Sequence, residues 1–244
     1  MDSGYYAACS GLRTQTQALD VLANNLANTN TVGYRRQEPT FHSMLASTTG
    51  GLGAFNRVIN DFNVLGGGGL DLTAGNLEQT GNPLDLALEG GGFFAIKTRA
   101  GTLYTRNGNF QASAQNQLTT SEGDLVLSEQ GTPITLPGGT ISISTDGTLS
   151  VDGAVAGKVR LVEFAPGTSL EPAGTSYYAA PEAAAHAAAG TYVRQGMLET
   201  SNVNPIAAAV ALITVQRHAE MLGRALSSFY SDFNRIAADE LPRV

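Results

Sequence analysis

Asn24-Asn25-Leu26-Ala27-Asn28-Thr29-Asn30-Thr31-Val32-Gly33-Tyr34 closes one helical pattern, and Ser201-Asn202-Val203-Asn204-Pro205 opens another. Most of what lies between them reads as β. Upstream of the first stretch, Leu12, Leu19, Leu22 and Leu26 fall near one another on a helical wheel, with Tyr5, Ala8 and Gln15 filling the seven-residue rhythm. Such a seam is narrow, suited to a coiled-coil contact more than to a broad core face. From Asn28 onward short polar side chains compete for backbone hydrogen bonds, and Gly33 tolerates positive φ, so the helix is expected to stop near Asn28. Downstream, Asn204 reads as a helix cap and Pro205 as a first-turn residue. Ile206, Val210, Ile213, Met221, Ala225 and Phe229 then recur at helical spacing, interrupted by Arg217 and Glu220.

The fold class expected is α+β: N- and C-terminal helices pairing as a coiled coil, with an intervening all-β domain in the form of a sandwich or irregular barrel. The chain divides in sequence into a first helix (1–32), a linking segment (33–75), the β domain (76–195) and a second helix (196–244). In the linking segment the apolar residues Phe41, Met44, Leu45, Leu52, Phe55, Val58, Ile59 and Phe62 are only weakly periodic. Gly66-Gly67-Gly68-Gly69 is no phosphate cradle, because no Lys-Ser/Thr pair follows and no helix begins there; it reads as a flexible connector. From about Leu77 to Val193 two-residue alternation is broken by turn dipeptides, among them Asn107-Gly108, Asp146-Gly147 and Asp152-Gly153. Lys158 to Phe164 reads as one alternating strand, and the alanine-rich tract Pro181 to Gly190 as a helical turn or surface loop.

Composition narrows the function. At 244 residues with 42% hydrophobic content the chain can build a real core, while only 14% is charged and 29 residues are Gly, which favours short strands and turns. A net charge of −7, with Arg35-Arg36 as the longest basic run, argues against nucleic acid as a partner. The single cysteine, Cys9, allows no internal disulfide and reads as a small buried hydrophobe. Met1-Asp2-Ser3-Gly4 carries an acid where a cleavable secretory signal would carry positive charge, and no stretch approaches a membrane span. Export by a route that reads an uncleaved terminus stays open.

No catalytic constellation emerges. His42, His186 and His218 lie in three separate segments, none with a carboxylate or second histidine at metal-ligand spacing. There is no Gly-x-Ser-x-Gly elbow, and Asp85, Glu89, Glu122 and Asp124 sit where turns and solvated strand faces ordinarily place acids. The expectation is a non-enzyme without cofactor, metal or small-molecule substrate.

Two terminal signatures carry a resemblance. Ser10-Gly11-Leu12, Ala23 to Asn28 and Thr31-Val32-Gly33-Tyr34-Arg35 resemble the N-terminal signature of bacterial flagellar rod and hook proteins. Gly196 to Pro205, followed by Ile213 and Gln216-Arg217, resembles their C-terminal signature. Gly75 to Leu88 and Tyr104-Thr105-Arg106-Asn107-Gly108-Asn109-Phe110 are similar to the rod-protein core, and residues 132–149 resemble proximal-rod members most, distal-rod members sharing nearly all the other motifs. Departures occur at Ala207-Ala208-Ala209, where acids are common in the family, and at His218, where an aromatic often follows Gln-Arg.

The resemblance implies a structural axial subunit of the flagellar basal body. Such a subunit crosses the inner membrane unfolded through the type III export apparatus, without a cleavable signal peptide. It assembles in the periplasm with copies of itself and other rod proteins into a helical tube. In that tube the terminal helices form the inner layer and the β domain faces outward. Assembly contacts are expected at Leu12, Leu19, Leu22, Asn24, Asn25, Leu26 and Asn28 of the first end. At the second they are expected at Ser201, Asn202, Val203, Asn204, Ile206, Val210, Ile213, Gln216 and Arg217. Asn24, Asn25 and Asn28 read either as cap and turn residues or as amides that bond between subunits and set register. In the isolated chain both ends are expected to lack order. The competing class is a secreted β-domain adhesin whose helical ends are stalks, with a glycan-binding enzyme a more remote option.

Overall fold

The computed structural model describes residues 2–42 and 64–240. Met44 through Phe62, with the weak periodicity noted above, lie outside the described residues. The described chain is α+β and forms two compact units, one made of residues 1–27, 37–69 and 204–244, the other of 28–36 and 70–203. Compactness therefore assigns 28–36 and 196–203 to the β unit, across the sequence boundaries drawn at 32/33 and 195/196.

The first unit holds helix α1 (Asp2–Ala27), strands β1 (Gln37–His42) and β2 (Val64–Leu70), and helix α2 (Pro205–Glu240). Both terminal segments are helical over these ranges. α1 and α2 pack on one another, which gives each a partner for one stripe. On α1 the buried residues are small or polar, Thr14, Ala18 and Asn25, while Leu12, Leu19, Leu22 and Leu26 are half-buried. On α2 the half-buried positions include Ala208, Leu212, Val215, Ala219, Leu222 and Leu226, spaced by alternating steps of four and three residues, with Ala209, Ala211 and Gly223 beside them. Leu19 and Leu26 thus each follow a buried residue by one position, about 100° of helix rotation, while Leu22, four residues after Ala18, lies closer to the buried stripe. Small side chains permit close approach of the axes, and a Cβ added at Gly11 would stand 3.8 Å from Leu222 Cδ1. α1 ends at Ala27, close to the expected Asn28.

Gly66 to Gly69 are a correction: instead of a connector without regular structure they lie within β2, paired with β1 in a two-stranded sheet. Glycine has no side chain to reveal a two-residue rhythm, yet its backbone carries the same N–H and C=O groups for pairing.

In the second unit the barrel expectation fails, for no closed barrel forms among the described residues. β5 (Phe93–Thr98) is central, with β6 (Gly101–Thr105) on one side and β9 (Leu125–Val126) and β13 (Leu161–Phe164) sharing the other. All these pairings are antiparallel. β6 continues through β15 (Tyr177–Ala179) to the edge strand β14 (Glu171–Pro172), and β9 through β8 (Leu118–Thr120) to β7 (Phe110–Ala112). Strands of two to six residues, with Pro172 on the edge, leave the sheet open.

Phe93-Phe94-Ala95-Ile96 is buried on both faces, which is why four apolar residues follow one another there without alternation. Phe93 and Ala95 join Tyr104, Val162 and Tyr178 on one side; Phe94 and Ile96 join Phe110, Leu118 and Val126 on the other. Edge-to-face ring pairs fix both layers, with centroids 5.0 Å apart for Phe94 and Phe110 and 5.8 Å for Phe93 and Tyr178.

Smaller sheets complete the unit. β10 (Ile141–Ile143), β11 (Thr148–Val151) and β12 (Ala154–Lys158) form a meander whose second turn has Asp152 at φ 50° and Gly153 at φ 85°, the positive pair that an Asp-Gly hairpin turn requires. β4 (Leu86–Glu89) pairs with β17 (Tyr192–Gln195), and β3 (Leu77–Gln79) with β18 (Met197–Glu199). Lys158 to Phe164 is not one strand: it breaks at Val159-Arg160, so that both Val159 and Val162 are buried despite their opposite parity. The alanine tract is a single 3-10 turn, Glu182–Ala184, followed by β16 (Ala185–Ala187), which adds to β13.

Candidate functional site at the chain-end segments

Within the β unit the two signature segments, 28–36 and 196–203, are tied to each other and to the sheet. Thr31 donates its hydroxyl to Asn28 Oδ1 at 3.0 Å and its amide to Asn28 O at 3.2 Å, which turns the chain directly after α1. Gly33 follows at φ 69°, and a Cβ there would overlap the backbone of Arg106 and Asn107. The Gly33 amide donates to Glu199 O at 2.8 Å, and the Arg35 amide donates to the Tyr178 hydroxyl at 2.9 Å.

Asn202 is the polar hub of the opposite segment. Its Oδ1 accepts the Arg36 amide at 2.7 Å, and its Nδ2 donates to Asp71 O at 2.9 Å and Thr73 O at 3.0 Å. One amide side chain thus binds three segments that are distant in sequence. Burial pushes the Asp71 carboxyl up, but the hydroxyl and amide of Thr73 and the neighbouring Arg36 guanidinium outweigh it and hold the group below its ordinary value. Ser201 Oγ accepts the Val203 amide at 3.2 Å, and Val203 is itself buried.

Beneath these contacts lies a buried charge cluster. Glu199 Oε1 sits 2.7 Å from Arg35 Nη2 and Oε2 sits 3.3 Å from Arg106 Nη1, with the Arg35 and Glu199 side chains fully buried and Arg106 nearly so. Glu199 Oε1 also accepts the Gly75 amide at 2.8 Å. Arg106 donates from Nη2 to Gly90 O at 2.6 Å, and its guanidinium stands 5.0 Å from the centre of the Phe93 ring. Burial and the Arg35 charge press the Arg106 pKa down, and Glu199 pushes it back up.

A second buried acid, Asp85, anchors a turn. It accepts the Thr80 hydroxyl at 2.6 Å and the amides of Asn82 and Asn109 at 3.1 Å, so the Asn-Pro-Leu-Asp and Asn-Gly-Asn motifs meet at one carboxylate. Among the described residues no group of three His, Cys, Asp or Glu stands close enough to hold a metal ion. Cys9 is half-buried.

In the helical unit Asn25 is buried, with its Nδ2 donating to Gln37 O at 2.8 Å and its Oδ1 accepting the Gln37 amide at 2.9 Å. Asn204 caps α2, its Oδ1 accepting the amides of Ile206 and Ala207 at 3.0 Å each. Ile206, Val210 and Ile213 lie outside the stripe facing α1: Ile206 is 76% exposed and Ile213 51%, and Met221 is exposed with them. Gln216 donates to Glu220 Oε1 at 3.3 Å, and Arg217 is exposed.

Sequence reasoning singled out Asn25, Asn28, Asn202 and Asn204 but passed over Arg35, Arg106 and Glu199. The signal available was that all three stand inside the quoted signatures, in a chain poor in charge.

These same segments are the ones that match known proteins. Residues 6–35 match the flagella basal body rod protein family, 87–151 the flagellar hook protein FlgE/F/G D1 domain, and 194–228 the flagellar basal body rod FlgEFG protein C-terminal family. The chain is 34% identical over 222 residues to the flagellar basal-body rod protein FlgF of Mesorhizobium japonicum, covering 89% of each chain. It is 33% identical over 258 residues to FlgF of Salmonella typhimurium, covering 99% of this chain and 98% of the relative. It is also 32% identical to FlgG of Bacillus subtilis over 235 residues, 87% of this chain and 89% of the relative. The class these matches define is structural, not enzymatic. The chain belongs to the flagellar basal-body rod proteins, with the FlgF type best supported.

Proposed function

We propose that this rod subunit assembles as a helical tube in the proximal part of the rod, its terminal helices paired as a coiled coil in the inner layer and its β unit outside. The observation that carries the reading is the division of α2 into two apolar stripes: one meets α1, and the other, with Ile206, Val210, Ile213 and Met221, is exposed among the described residues. Identical neighbours would cover that stripe and the half-buried leucines of α1, and a head-to-tail contact that does not close on itself builds a filament. The tube would enclose the export channel, transmit torque, and be built in the periplasm from chains delivered by the type III apparatus.

The alternating four- and three-residue steps through Ala208, Leu212, Val215, Ala219, Leu222 and Leu226 support the coiled-coil part of the proposal. Asn25 then contributes by anchoring β1 at the end of α1, and Asn24 and Asn28 by shaping the exit from that helix. Ser201, Asn202 and Val203 fix the end of the β unit and Asn204 caps α2, and Gln216 and Arg217 border the outer stripe.

Val210→Glu and Ile213→Glu, introduced in place of the native residues in the cell, are expected to abolish motility and remove intact rods from isolated basal bodies. The purified variants should melt within about 0.5 kcal/mol of the parent, because both positions are exposed. Full motility in both variants would overturn the assembly reading. FlgG relatives of nearly equal identity favour the distal rod as a second reading, and tracing this chain in an image of the assembled rod separates the two.

A further inference from the structure

We infer that Glu199 makes docking of the N-terminal segment conditional on the C-terminal one: Arg35 can enter the β unit only after β18 has brought a carboxylate to Arg106. The inference concerns the folding order within one unit and does not rest on the rod geometry proposed above.

The charge count carries it. Arg35, Arg106 and Glu199 are all buried, two cations to one anion. Glu199 divides its oxygens between them, Oε2 to Arg106 and Oε1 to Arg35. Arg106 belongs to the body of the unit, where Gly90 O and the Phe93 ring also hold it. Glu199 arrives on β18, which pairs with β3 and is fastened by the Thr200 amide to Asn76 O at 2.8 Å and the Gly196 amide to Asp85 O at 2.8 Å. None of those bonds uses residues 28–36. Arg106 and Glu199 therefore form a complete, neutral pair without the N-terminal segment.

The reverse does not hold. Without Glu199, docking 28–36 would bury Arg35 beside Arg106, placing two like charges in a site that water does not reach. Arg35 has little else to hold its charge: its Nε and Nη1 are buried with no hydrogen-bond partner. The Gly33 amide, moreover, bonds to the backbone oxygen of Glu199 itself. The dependence is one-way. A chain whose C-terminal segment is not yet seated keeps 28–36, and with it the point where α1 begins its exit, out of the β unit.

Amide hydrogen exchange in a double-mutant cycle of Arg35→Met and Glu199→Gln on the full chain tests this. Methionine keeps the length of the side chain without the charge, so it removes the conditionality while leaving the segment able to dock. The readouts are the amides of Gly33 and of residue 35. The references are the sheet amides of Ala95, bonded to Arg160 O, and Leu127, bonded to Ala95 O. Glu199→Gln alone is expected to speed exchange at the two readouts by about a hundredfold or more relative to the references, the scale on which an uncompensated buried charge disfavours a state. In the Arg35→Met background the same change is expected to give less than about tenfold. Equal acceleration in both backgrounds, or none in the first, would overturn the inference. Should Glu199→Gln alone fail to fold, recovery of the fold in the double variant supports it, and failure of both overturns it.

Discussion

Asn25 and Gln37 exchange two hydrogen bonds, the side-chain amide of the first with the backbone N–H and C=O of the second, at 2.9 and 2.8 Å respectively. A side chain near the end of α1 thus does for the first residue of β1 what a neighbouring strand would do. Within one chain this asparagine anchors β1 to α1.

Asn25→Ala removes both bonds at a buried position and strands the Gln37 backbone groups. A loss of about 2 kcal/mol is expected, since each buried group left unpaired costs about 1–3 kcal/mol. Helical circular dichroism should show the earlier melt, with faster exchange of the Gln37 amide. An unchanged melt would mean that water replaces the pair at no cost.

Two glycines in the signatures should respond in opposite directions. Gly33→Ala puts a Cβ into the backbone of Arg106 and Asn107 at φ 69°, so residues 28–36 must shift, and a cost above about 2 kcal/mol is expected. Gly11→Ala puts a Cβ at ordinary contact distance from Leu222 in a helix interior, and should stabilise the helical unit by about 0.5–1 kcal/mol. Paired denaturant melts compare them directly; equal effects would refute the space argument.

Alkaline titration supplies a third check. Burial pushes Tyr34, Tyr177 and Tyr178 each up to about 12. A group that holds its proton more tightly when folded contributes stability that is complete below the unfolded value, near 10 for tyrosine, and is lost as pH rises through the folded value. Stability should therefore decline between about pH 10 and 12 while these three of the eight tyrosines ionise late by phenolate absorbance. If all eight ionised together near 10 with the fold intact, the burial argument would be wrong.

Local features were legible in the sequence because their causes are local. Asn204-Pro205 starts α2, Gly33 takes positive φ, α1 stops at Ala27 beside a run of short polar residues, and Asp152-Gly153 turns a hairpin. In each, one or two side chains decide the backbone around them. The family signatures were legible for the same reason, as short stretches with unusual composition.

Contacts between distant segments were not legible. The leucines of α1 outweigh its small residues on any hydrophobic wheel, yet Thr14, Ala18 and Asn25 are the buried ones, because burial is decided by the segments that pack on a helix and Asn25 has β1 beside it. Gly66 to Gly69 carry no side-chain rhythm, and only the presence of β1 makes them a strand. Arg35, Arg106 and Glu199 read as ordinary charges until the fold removes water from all three at once. The sequence by itself determined the helix ends, the turns, the β character of the middle and the family. Only the tertiary structure decided which stripe of each helix is covered and which charges are paired, because burial and charge compensation are properties of several segments together and of none alone.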